Sequence, residues 1–270
     1  MARHVHTKLA QAVEARQGKV SARLLAVLRE WARSIAKKVS RRLGKAEKTI
    51  EEQVQEVLDS IDLDAFGQDV VDEISDELLA MYERAANAGL TQVKLEPTDE
   101  IVRHLDEQAR EYVAERGAEL VGKKVLEDGS VIDNPDAKWS IADTTRDDLR
   151  AVLTDGVEQG WSAERLADVI ESSGAFGEAR ADMIARTELA YAHVAGNVAG
   201  WRESGEVTGK RSLLGDLHDI VDECDDNADA GVIDFDDEFP SGDDFPPYHP
   251  NCVCDVEPIL SSNEPEEVEA

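Results

Sequence analysis

Apolar residues recur in steps of three and four over most of the chain before Gly205, the signature of helices with one face turned inward. Leu24, Leu28, Trp31, Ile35 and Val39 form such a stripe and predict a helix over residues 7–43. Ile50, Val54, Val57 and Ile61, then Phe66, Val70, Ile74, Leu78 and Met81, predict two helices within 49–90. The string IDLDAFG breaks the phase between them, and Gly89 is the expected stop of the second. Thr98 or Asp99 caps a further helix with Ile101, Leu105 and Val113 inward. Asp128-Gly129 and Asn134-Pro135 signal turns, so EDGSVIDNPDAKWS, residues 127–140, is the predicted linker. Helices follow at about 144–158 and 162–172, the second capped by Ser162. A long helix then carries Ile184, Thr187, Tyr191, Val194, Val198 and Trp201 on one stripe and ends at Gly205. VTGKRSLLG reads as a strand, and the remainder is irregular. The fold class is therefore mainly α. A helical N-terminal region precedes a mostly helical C-terminal domain with a small α+β, cysteine-containing cap.

Charge adds a strong asymmetry. The 270 residues carry 29 Lys and Arg against 59 Asp and Glu, a net charge of −30. Residues 1–48 hold thirteen basic groups and three acidic ones, so this basic amphipathic arm is +10. The other 222 residues are −40, and no Lys or Arg follows Gly215. A surface this acidic repels nucleic acid and membranes, and it is the style of proteins from salt-loving hosts. Three cysteines are too few for a disulfide scaffold, and no apolar run suits a secretory signal or a membrane span. The arm attracts DNA at low salt. In molar salt that attraction is screened, and the stripe of Leu24, Leu28, Trp31, Ile35 and Val39 becomes the expected partner-binding surface, onto the chain's own helices or another protein.

The candidate chemistry lies after Gly205. Pro246, Pro247 and Pro250 keep FPPYHPNCVC out of a helix, and an extended HPNCVC points Cys252 and Cys254 the same way. Three readings of the cysteines stand open. Cys224, His249, Cys252 and Cys254 form a Cys₃His set for a structural zinc, which would cross-link a segment poor in apolar residues. A disulfide would join Cys224 to one of the pair. Three reduced thiols would pack with Phe239, Phe245 and Tyr248. His218 and the many carboxylates nearby are further potential ligands, and DDNADAG from Asp225 approaches a calcium-loop pattern with its glycine one place late.

RADMIARTE, a helix ending near Gly205, a lone cysteine in an acidic segment and then PPYHPNCVC together resemble the phage Mu F-like head-morphogenesis family. The resemblance spans roughly residues 144–258. Where that family often has a second cysteine after the first, this chain has Asn227, and Val253 stands where the family has Arg. The resemblance implies a minor head (minor capsid) protein of a tailed virus or provirus, here of a haloarchaeal or other halophilic host. Such a protein acts in capsid assembly near the portal and in genome packaging or ejection. Its partners are portal, capsid and scaffold proteins, and its place is the virion interior, or the host cytoplasm during assembly. It is no enzyme. The implied organisation is an arm (1–48), a helical region (49–126), the linker (127–140), the head-morphogenesis domain (141–258) and a disordered acidic tail (259–270). Arg180, Arg186, Thr187, Glu188, Pro247 and Pro250 are its structural motif, with Arg186 and Glu188 bracing the adjoining loop. Two rivals stand beside it. One is a zinc-stabilised nucleic-acid-binding module. The other is a metal-dependent hydrolase or nucleotide transferase built on Arg186, Thr187 and Glu188.

Overall fold

The computed structural model describes residues 8–42 and 49–261; the ends of the basic arm and residues 262–270 of the acidic tail lie outside them. The elements run α1 (Lys8–Arg42), α2 (Ile50–Leu58), α3 (Leu63–Gln92), α4 (Asp99–Leu120), β1 (Lys123–Val125), β2 (Val131–Asp133), α5 (Ile141–Glu158), α6 (Ala163–Glu171), a short 3₁₀ turn, α7 (Glu178–Ser204), β3 (Val207–Leu213), α8 (Glu223–Asp229), β4 (Val232–Asp234) and β5 (Asp255–Leu260). The fold is mainly α, with a small sheet and the cysteines towards the C-terminal end. No helix among the described residues is long and apolar enough to cross a membrane.

The chain divides into two compact units. The first, which holds the cysteines, is formed by the described parts of Met1–Gln17, Glu77–Val113 and Arg186–Ala270. The second is formed by Gly18–Asp76 and Ala114–Ala185.

The second unit follows the helical periods closely, because its helices begin where side chains satisfy their free amides. Thr49 and Glu52 form a reciprocal capping box at α2, Asp62 accepts from the Ala65 amide at α3, and Ser140 and Ser162 cap α5 and α6. Both turn signals of 127–140 are used. Asp128 accepts from the Ser130 amide in the turn of the β1–β2 hairpin, and Asn134 accepts from the Asp136 amide. The apolar stripe of α1 is covered by the chain itself. Leu24, Leu28, Ile35 and Val39 are fully buried, Trp31 meets Phe66 edge to face at 5.6 Å, and the Trp31 indole donates to Asp69 at 2.7 Å. Arg23 pairs with Glu73 alongside. Of the two occupants expected for the stripe, the chain's own helices or another protein, the chain's own helices cover it. Side chains already out of water have no apolar area left to offer.

In the cysteine-bearing unit, the parts of α3, α4 and α7 pack around Tyr82, Ala86, Leu90, Leu105, Ala109 and Ala199. α3 and α7 touch backbone to backbone. A Cβ on Gly89 would lie 2.5 Å from the Asn197 carbonyl oxygen, so this glycine serves close packing. The helix therefore does not stop there but runs on to Gln92, and Lys94 takes the left-handed turn beyond it (φ 59°). α7 ends as expected at Gly205 (φ 65°). Its burial runs nearly all round, and Tyr191, expected in the core, is half-buried. β3 is the centre of an antiparallel sheet ordered β4-β3-β5. β5 extends to Leu260, opposite Val207, so Ile259 and Leu260 belong to the sheet.

Candidate metal centre

The centre is assembled from three pieces of the cysteine-bearing unit: the loop after β3, the start of α8, and the HPNCVC segment that leads into β5. Asp222 and Asp225 form a capping box at α8, which fixes the turn on which Cys224 sits. DDNADAG is thus helix and helix end rather than a calcium loop. Its Asn227 is buried and exchanges two hydrogen bonds with Ser241, donating to the hydroxyl and accepting from the amide. The other side of the centre is pinned from α7. Asn251, at φ 64°, donates its backbone N–H to the Thr187 hydroxyl at 2.8 Å. Thr187 thus accepts a hydrogen bond from the loop backbone. Arg186 donates to Gln17, and Glu188 is buried. Arg180 lies in the other unit, held by Asp148, Thr144 and Thr145. Pro247 follows a cis peptide bond. The Pro250 carbonyl accepts from His249 Nδ1 at 2.9 Å.

The four expected ligands fall in one cluster but divide between two overlapping triads. Cys224, Cys252 and Cys254 are free thiols, all buried. Cys224 Sγ lies 3.7 Å from Cys252 Sγ and 3.3 Å from His249 Nε2. A disulfide needs sulfurs at about 2.05 Å, whereas two thiolates on one tetrahedral zinc stand about 3.8 Å apart, given Zn–S near 2.3 Å. A fifth donor joins them. His218 Nδ1 lies 3.9 Å from Cys254 Sγ, with its side chain 5% exposed. The donors form overlapping triads, Cys224–His249–Cys252 and His218–Cys224–Cys254, that share Cys224. Each imidazole uses its other nitrogen outward, His249 to the Pro250 carbonyl and His218 to Asp225 at 3.0 Å, which leaves one lone pair facing the sulfurs.

Electrostatics favour a cation. Hydrogen bonds from the Cys224 and Cys254 thiols, joined by His249, hold Cys252 well below the ordinary thiol range. Cys224, donating to Cys252 beside Cys254, is driven far up. Three thiols this close in a dry site cannot all ionise unless a cation is added. The His249 imidazole is raised to about 9 by its bond to the Cys252 thiolate, with the Pro250 carbonyl adding to it. The residues thus suit a thiophilic divalent metal, and one of that kind would cross-link three chain segments.

The aromatic residues do not gather on the thiols alone. Phe239 meets Tyr248 at 5.8 Å and Phe235 meets Phe245 at 5.9 Å. Lys210 of β3 is fully buried, with Nζ 4.1 Å from the Phe245 ring centre, and burial pulls its pKa down.

Thr187→Val is expected to remove the partner of the Asn251 amide and to cost about 0.5–1.5 kcal/mol. Chemical denaturation measures it, and Thr187→Ser should restore most of the loss. Equal stability of the Val variant would remove Thr187 as the loop's anchor.

Residues 147–257 match the model of the family described as Phage Mu protein F like protein. The match covers the centre and the helix that pins it, and it supports the head-morphogenesis reading of the sequence. Neither the curated proteins nor the solved structures give a match.

Proposed function

We propose that the chain is a structural head-morphogenesis protein of a tailed virus, working through contacts with other capsid proteins near the portal during assembly and genome packaging or ejection. The observation that carries this reading is that the family match coincides with a cluster of three buried cysteines and two histidines tied to α7 by Thr187. On this reading the centre holds zinc through Cys224, Cys252, Cys254 and His249. With four protein ligands and no open position, the metal would supply cross-linking rather than catalysis. His218, near Cys254, is the competing fourth ligand. The Arg-Thr-Glu string supports a non-enzymatic role, since Thr187 is spent on a loop amide and Arg186 on Gln17. The −30 charge supports a halophilic host, whose cytoplasm screens self-repulsion.

Tagging the chain in its native genome and purifying DNA-filled particles tests the role. The chain should co-purify with heads, and its deletion should yield defective ones. Absence from the particles, with normal heads after deletion, overturns it.

A further inference from the structure

The loop between β3 and α8 carries three large aliphatic side chains in the open. Leu217 is 66% exposed, Ile220 60% and Val221 93%. A cluster of that kind within five residues is a contact surface awaiting cover. It cannot fold back, because both ends are fixed. The His218 amide donates to the Gly215 carbonyl, His218 bonds Asp225, and Asp222 caps α8. The apolar residues are flanked by Asp216, Asp219 and Glu223, all exposed. A partner must therefore offer apolar ground beside positive charge.

The chain has such a surface. On α1, Ala22, Ala26, Arg29, Arg33 and Lys37 are exposed and follow one another at three- and four-residue steps. Two small apolar residues thus lead into three cations, with Glu30 beside them. We propose that the chain associates with further copies of itself head to tail. Ile220 and Val221 of one copy would seat on Ala22 and Ala26 of the next, and Asp219 and Glu223 would face Arg29 and Arg33. In this head-to-tail arrangement each end copy still offers the half it has not used, so it builds rings or open chains, whereas two copies exchanging the contact reciprocally would stop at dimers.

The test uses the full-length protein in sedimentation velocity across a concentration series. Wild type should form species larger than dimers. Ile220→Ser with Val221→Ser should weaken association by on the order of a hundredfold, about tenfold per aliphatic side chain withdrawn from a contact. Arg29→Glu with Arg33→Glu should do the same. Both changes lie at exposed positions, and circular dichroism confirms that the fold persists. Mixing the two variants decides the geometry. Each retains the half the other lacks, so the mixture should form dimers and stop there. A wild type that stays monomeric overturns the proposal, as it would if the loop is covered by its own chain's ends. Association that survives either variant, or a mixture that stays monomeric, also overturns it.

Discussion

Removing the metal from the purified chain is expected to lower its melting temperature by about 10–20 °C, corresponding to a loss of about 5 kcal/mol or more. The expectation rests on how the HPNCVC segment is held. It lies outside helix and strand before β5, and Pro250, like Pro246 and Pro247 just ahead of it, has no amide to donate. Its neighbours in the centre are Cys224 on α8 and His218 on the preceding loop, so one ion would tie three segments together. Calorimetry of full-length protein with and without chelator, read against zinc content per chain, measures the effect. Cys224→Ser and Cys252→Ser should each reproduce it without chelator. The dependence on pH has a definite sign. Thiolates and a neutral imidazole bind the metal, so this stability is present at neutral pH and lost as pH falls and protons displace the ion. In metal-free protein His249, raised to about 9, carries a proton at neutral pH, and zinc uptake should release it. Less than about a tenth of a zinc per chain, with a melting temperature indifferent to chelator, would leave the centre as a cluster of reduced thiols, because a structural site fills almost completely.

Gly196→Ala is expected to cost about 3 kcal/mol, while the same substitution at Gly18 should raise stability by about 0.5–1 kcal/mol. A Cβ on Gly196 would lie 2.3 Å from the Tyr82 carbonyl oxygen, 2.8 Å from Ala85 Cβ and 3.0 Å from the Ala86 amide nitrogen. Two of these are backbone atoms, which no rotamer change can move, so α3 and α7 would have to part within the unit. Gly200 sits in the same way, 2.3 Å from the Ala86 carbonyl oxygen. Gly18 lies on the exposed side of α1 with nothing within 4 Å, so there an added methyl only restricts the unfolded chain. Urea unfolding of both variants checks the pair. A Gly196→Ala protein as stable as wild type would show that the two helices do not approach so closely.

The helices, most of their caps and the cysteine and histidine residues that cluster after Gly205 were legible in the sequence, for a local reason. A buried stripe repeats with the period of the helix, and Ser162, Thr98 and Gly205 act on the chain within a few residues of themselves. Cys252 and Cys254, two residues apart with His249 close by, announce a ligand set through spacing alone. The stripe of α1 was legible as apolar and due to be covered, but the sequence does not say which of its two expected occupants meets it. Tertiary structure decided the rest. Gly89 reads as a helix stop, and only the approach of Asn197 makes it a packing residue. Tyr191 fits the stripe of α7 but is half-buried, because a helix surrounded on most sides has no single inward face to read. α8 was hidden in a run of acidic residues whose capping box depends on Asp222 and Asp225 facing each other. His218 became a candidate ligand only when the loop brought it beside Cys254, and Lys210, polar in sequence, was buried because β3 lies between two strands under the aromatic side chains of the cap. Apart from the capping box of α8, these are contacts between residues far apart along the chain, and hydrophobic period and local hydrogen bonding carry no information about them.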